Sequence, residues 1–96
     1  MRFHRVIGPP LLVLAAAVSA AAPAAASAQD DYLRPLLARY AFLSSHQLLT
    51  EANRVCSTIE AGNGSSVAAG MVATDLQVST AVSIDITSAA IRYLNC

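Results

Sequence analysis

Apolar side chains recur every three or four residues through most of the chain after residue 29, which is the spacing of helices with one buried face. In the first segment they are Tyr32, Leu33, Leu36, Leu37, Tyr40 and Leu43. Asp30 stands where a cap residue accepts hydrogen bonds from the free N–H groups of a helix. Pro35 then falls in the first turn, where proline is tolerated. The pattern predicts a first helix that begins near Asp30.

A second apolar stripe is the clearest in the chain. Its members are Leu48, Leu49, Ala52, Val55, Cys56 and Ile59. Glu51 and Arg54 are predicted to stand on the opposite, polar face. Ser44 and Ser45 each offer a cap at the start, and Gly62 suits a left-handed residue at the end. The pattern predicts an amphipathic second helix between these limits.

The residues that follow, Asn63-Gly64-Ser65-Ser66, predict a loop because they are small and polar. Either Ser65 or Ser66 is placed to cap a short third helix. The apolar positions of that helix are Val67, Ala68, Met71 and Val72. The pattern leaves the boundaries of the third helix open.

The last segment fits two kinds of element. Val78, Val82, Ile86 and Tyr93 form a helix face, but the alternate residues from Val78 to Ile86 are all β-branched, which is typical of a strand. A lone strand needs a partner, and no other segment alternates over that length. We therefore predict a helix from about Ser79 to Leu94. The fold class that follows is all-α, a small bundle of three or four short helices.

Residues 1–28 have the three regions of a secretory signal peptide. Arg2 and Arg5 provide the positive start, an apolar region runs from residue 6 to residue 26, and Ala26-Ser27-Ala28 fits a cleavage site. The alternative is an uncleaved membrane anchor, for which the segment is long enough. We favour cleavage because the segment is mostly alanine and is interrupted by three prolines.

Cleavage predicts that residues 29–96 form a small helical domain that reaches the cell envelope or the medium through the general secretory route, with no stable membrane anchor. Over the whole chain 55% of residues are apolar and the formal net charge is +0. After residue 28 there remain four arginines, six acidic residues and no lysine, a net charge of −2. Nucleic-acid binding requires a clustered basic face, so we predict no nucleic-acid partner.

Both cysteines, Cys56 and Cys96, fall in the segment predicted to be exported, where disulfides persist. A domain of about 70 residues rarely buries enough apolar surface to be stable alone. The alternative is a reactive or metal-binding thiol pair, but it lacks C-x-x-C spacing and has only His46 near it in sequence. We predict a single disulfide that joins Cys56 in the second helix to Cys96 after the last.

Three segments occur in a characteristic order: Asp30-Asp31-Tyr32-Leu33, then Ala52–Gly62 around the first cysteine, then Ala90–Cys96. Together they resemble the small exported actinobacterial proteins of domain-of-unknown-function family 732, which is abundant in mycobacteria. The resemblance implies a helical, disulfide-linked secreted domain and implies no activity. The chain departs from the family pattern from Ser65 to Gln77, and it stops at Cys96 where members often continue with proline.

His46 is the only histidine after residue 28. Histidine and tyrosine both ligate haem iron, which makes His46 and Tyr40, or Tyr93, candidate ligand-binding residues. Tyr40 and His46 are separated by a predicted helix break, so their spacing does not enforce shared ligation. The alternative is that His46 is an exposed or capping residue in the first turn of the second helix. We predict no cofactor.

Catalytic motifs are lacking. Asp30-Asp31 is explained by helix capping, no G-x-S-x-G elbow places a serine, and Gly62-x-Gly64 lacks the third glycine of a dinucleotide fingerprint. No cluster has metal-ligand spacing. The chain is therefore predicted not to be an enzyme and to hold no metal.

Two functions remain open. One is an interaction module for an unknown protein or envelope component, and the other is a carrier of a small apolar ligand, a lipid or haem. The second apolar stripe distinguishes them, because it is simply core in a module and partly lines a cavity in a carrier. We favour the module because four short helices leave little interior space once a core is filled. The oligomeric state stays open.

Overall fold

The computed structural model describes residues 26–96, and the predicted signal peptide lies outside the described residues except for its last three. The described part is an all-α bundle of four helices, as the apolar spacing predicts, and it contains no strand. Helix α1 covers residues 26–39. It is followed by α2 (Ser45–Glu60), α3 (Ser65–Leu76) and α4 (Thr80–Leu94).

Helix α1 already includes residues ahead of Asp30, which differs from the prediction. Residues 26–29 are already helical, so Asp30 lies inside the helix rather than at its cap, and Pro35 lies well beyond the first turn. The reason is that Ala26 and Ala28 have high helix propensity and continue the helix backwards. Asp30 Oδ2 instead lies 3.8 Å from Nη2 of Arg34, one turn further along the helix, and both side chains are about 70% exposed. An ion pair this exposed stabilises a helix little.

Serine caps explain where α2 and α4 begin. Ser44 accepts from the backbone N–H of Gln47, whose side chain in turn accepts from the Ser44 backbone, a capping box. Ser79 accepts from the backbone N–H of Val82. The prediction that Ser65 or Ser66 caps α3 is wrong, because both serines are part of the helix; its cap position is Gly64, which has no side chain to accept.

Helix ends follow the expected chemistry. Gly62, just after α2, has φ +97°, the left-handed conformation predicted for it. Gln77 and Asn95 end α3 and α4 with φ of 54° and 62°. The helix predicted from about Ser79 to Leu94 is confirmed and excludes the strand.

The buried side chains of α4 explain why it is a helix. They are Ser83, Ile86, Thr87 and Ala90, spaced by three and four residues as on one helix face. Two of them are polar, so a count of apolar residues alone underestimates this face. A strand at this position would have no partner, because the described part of the chain contains no other strand. The segment instead buries one face as a helix.

One core joins the four helices. Its fully buried members are Tyr32, Leu36, Leu48, Ala52, Val55, Ala68, Val72, Ile86 and Ala90. The three alanines allow the helix backbones to approach closely. Tyr32 brings a hydroxyl into this core, and that hydroxyl donates a hydrogen bond to the carbonyl of Leu48 at 2.7 Å. The bond offsets the cost of burying the phenol.

The predicted disulfide is present between Cys56 on α2 and Cys96 after α4, with their Cα atoms 5.2 Å apart. It attaches the segment after α4 to the second helix. Among residues 26–96 no single helix has the length and hydropathy of a membrane span. Helices α3 and α4 have them only when taken together, and the pair is bent by 119°.

Candidate functional site

The two predicted ligand-binding residues have different surroundings. Tyr40 directly follows α1, and its hydroxyl donates to Asp85 Oδ2 on α4 at 2.6 Å. His46 is exposed in the first turn of α2 and makes no side-chain hydrogen bond within the described residues. Tyr40 therefore contributes to a contact between α1 and α4, whereas His46 remains a surface residue.

Two side chains at the end of α1, Arg39 and Tyr40, bind the carboxylate of Asp85. Arg39 Nη1 forms an ion pair with the same oxygen, Asp85 Oδ2, that accepts from Tyr40. The hydrogen bond to the Asp85 carboxylate raises the pKa of Tyr40 above its ordinary value of 10.0, so the phenol stays protonated and keeps donating. The arrangement holds the end of α1 against the middle of α4.

A groove opens beside this network, between α1 and α4. Its volume is about 190 Å³ and its walls are Pro35, Leu36, Arg39, Asp85, Ser88, Ala89, Arg92 and Tyr93. Two arginines thus face one groove, and they differ in their pairing. Arg39 is paired with Asp85, whereas Arg92 forms no salt bridge within residues 26–96.

Aromatic rings extend the groove to a wider surface. The Phe42 ring is 68% exposed, and its centroid lies 6.3 Å from that of Tyr40, edge to face. The guanidinium of Arg39 is 5.9 Å from the Tyr40 centroid, and that of Arg92 is 5.8 Å from the Tyr93 centroid. We call these five residues the arginine–aromatic face. Arginine, tyrosine and other aromatics are enriched where proteins bind one another.

This face was not predicted from the sequence, in which Tyr40, His46 and Tyr93 were interpreted as candidate haem ligands. A signal was present: Arg-Tyr occurs twice, as Arg39-Tyr40 and as Arg92-Tyr93. The sequence alone does not reveal that α1 packs against α4, and this packing brings the two pairs close together.

A second polar cluster lies between α2 and α3. The prediction that Glu51 faces solvent is wrong, since it is 4% exposed. Its position three residues after Leu48 and four before Val55 puts it on the buried face. Arg54 Nη1 lies 3.2 Å from Asp75 Oδ2, while Glu51 Oε1 has no hydrogen-bond partner within residues 26–96.

Burial sets the protonation of this cluster. It raises the pKa of Glu51 from its ordinary 4.5 to about 7, assisted by the neighbouring Asp75 carboxylate and opposed by Arg54. Burial also raises the pKa of Tyr32, and the charge of Glu51 adds to that effect. Glu51 does not line the groove between α1 and α4, and its burial makes it part of the bundle interior.

No group of three or more potential metal ligands occurs among residues 26–96.

No family model matches the chain, and neither a curated protein nor a solved structure matches it. The resemblance to the secreted family described above therefore stays a prediction.

Haem binding can be tested directly. We expect no shift of the Soret band when haem is added to the oxidised protein, because Tyr40 is bonded to Asp85 and His46 stands alone on the surface. Absorbance titration of the wild-type chain and of His46→Ala checks this. A saturable Soret shift that His46→Ala abolishes would show that a haem site forms around this histidine.

Proposed function

We propose that the chain is exported and that residues 29–96 act as a small interaction module, which binds an acidic segment of a protein partner at the cell envelope through the arginine–aromatic face. The observation that carries the proposal is one groove lined by Arg39, Arg92 and Tyr93. The rings of Tyr40, which binds Asp85 in the groove wall, and of Phe42 extend that surface. The disulfide supports export, because such bonds persist in oxidising compartments.

The charge distribution supports an acidic partner. Arg92 forms no ion pair within residues 26–96, and it lies on the same groove as Arg39. The guanidinium of Arg92 is thus free to form paired hydrogen bonds with a carboxylate. The chain after residue 28 is itself slightly acidic, so this groove is a local exception on the surface. Binding at such a surface weakens as salt rises, since screening shortens the range of the attraction.

The second apolar stripe supports a module rather than a carrier. Leu48 and Val55 are fully buried, and Leu49 and Ile59 pack against the same core. None of them lines either groove of the described residues. The stripe that would have to line the cavity of an apolar-ligand carrier is used as core.

Site-specific photo-crosslinking in the native host tests the proposal. A benzophenone side chain at Ser88, which lines the groove, is expected to form an adduct with one partner, whereas the same group at exposed Asn53 on α2 is not. Peptide mapping is expected to place the adduct on an acidic segment. Arg92→Gln is expected to lower the yield about tenfold, as for a residue that dominates an interface.

Arg34→Gln is the matched control, because Arg34 lies on α1 outside the groove and is 73% exposed. It is expected to leave the adduct unchanged. An adduct that survives Arg92→Gln, that maps to a segment without acidic residues, or that turns out to be a lipid would contradict the proposal.

A further inference from the structure

A second pocket lies between the start of α3 and the middle of α4. Its volume is about 220 Å³, and it is lined by Ser65, Ser66, Ala69, Ile84, Thr87 and Ser88. It adjoins the proposed interaction groove, since Ser88 lines both, but Arg39 and Arg92 line only the groove. Its volume is below the roughly 300 Å³ at which pockets for drug-sized ligands begin.

The backbone N–H groups at the start of α3 are hydrogen-bond donors at one end of this pocket. Helix α3 is capped by Gly64, and no side chain accepts from the N–H groups of its first turn. The helices α2 and α4, by contrast, are each capped by a serine. Ser65 and Ser66, the first two residues of α3, line the pocket. A helix N-terminus of this kind attracts the negative end of a ligand.

Thr87 gives independent evidence that a ligand group belongs here. It is 2% exposed, and its Oγ1 has no hydrogen-bond partner within residues 26–96. Two other helical threonines satisfy the hydroxyl on their own helix: Thr58 donates to the carbonyl of Arg54 at 2.8 Å, and Thr74 to that of Gly70 at 3.1 Å. A buried hydroxyl with no partner costs free energy.

The rest of the lining indicates the class of ligand. No ionised side chain lines the pocket, and Ala69 and Ile84 form an apolar wall. Ile84 remains 50% exposed, so an apolar body placed against it would bury further surface. From these features we propose that the pocket binds a small carboxylate with a short branched or linear alkyl body. Its oxygens accept from the N–H groups of Ser65 and Ser66 and from the Thr87 hydroxyl.

Amide NMR shifts of the full disulfide-bonded chain, titrated with isobutyrate, test the proposal. Saturable shifts are expected at Ser65, Ser66 and Thr87, while isobutyramide, which has the same shape without the charge, gives none. Inorganic phosphate is the second probe, and it is expected to bind more weakly because it has no alkyl body to contact Ile84.

Two variants separate binding from folding. Ser65→Pro removes one N–H donor at the first helical position, where proline is favoured. Thr87→Val replaces the hydroxyl by a methyl of similar size, and because that hydroxyl has no partner the fold is expected to be kept. Each is expected to weaken isobutyrate binding about tenfold, the effect of losing one hydrogen bond to a charged group.

Thr58→Val is the control, since the Thr58 hydroxyl is bonded within α2, and Arg92→Gln is expected to leave isobutyrate binding unchanged. The proposal is overturned if isobutyrate produces no saturable shift. It is equally overturned if isobutyramide or phosphate binds as well as isobutyrate, or if Ser65→Pro and Thr87→Val bind like the wild type.

Discussion

Replacing both cysteines, as Cys56→Ala with Cys96→Ala, is expected to lower the free energy of unfolding by about 4 kcal/mol. The two residues are separated by 40 positions, and the entropy lost by the unfolded chain when a loop of that length is closed corresponds to about 4 kcal/mol. The total for a domain of about 70 residues is about 4 to 10 kcal/mol. Urea unfolding followed by circular dichroism measures the difference.

Reductant provides the internal control for this prediction. The chain holds two cysteines, so dithiothreitol is expected to bring the wild type to the stability of the double variant and to leave the variant unchanged. Because Cys96 directly follows α4, the loss is expected first in the last turn of α4, where amide exchange near Tyr93 and Leu94 should accelerate. A reduced wild type as stable as the oxidised one would show that packing alone supports the bundle.

Much of the fold follows from local patterns that act over one helix turn. The apolar stripe from Leu48 to Ile59 predicts α2 and its buried face, and Ser44 and Gly62 predict its two ends, because caps and left-handed residues satisfy backbone groups locally. The start of α1 is missed because two rules compete there. Asp30 is a good cap, but Ala26 and Ala28 propagate the helix past it.

The candidate sites are less predictable because they depend on contacts between helices. Arg39 and Arg92 are 53 positions apart, and only the packing of α1 on α4 places them on one groove. Thr87 shows a similar limit: its sequence position does not reveal that its hydroxyl, unlike that of Thr58, stays without a partner. Glu51 was predictable, because its spacing from Leu48 and Val55 is that of a buried position, yet its charge suggested the opposite face.

The protein is expected to lose stability as pH rises from about 4.5 to above 7. Burial raises the pKa of Glu51 to about 7 in the folded chain against 4.5 when unfolded. Below pH 4.5 both states carry the proton and the full stability is present. Above pH 7 the folded state must hold a buried charge near Asp75. One pKa unit corresponds to about 1.4 kcal/mol, so the loss is about 3 kcal/mol.

Variants separate Glu51 from every other group that titrates in this range. Glu51→Gln keeps the shape of the protonated form, so it is expected to remove the fall and to be more stable than the wild type at pH 8. Glu60→Gln, on the exposed end of the same helix, is expected to keep the wild-type profile. Asp75→Asn removes the neighbouring charge and so lowers the pKa of Glu51 in the folded chain. It is expected to make the fall smaller and to end it at lower pH. Urea midpoints between pH 4 and pH 8 measure all four proteins, and a wild-type midpoint that rises or stays constant over this interval would contradict a protonated Glu51 in the folded state.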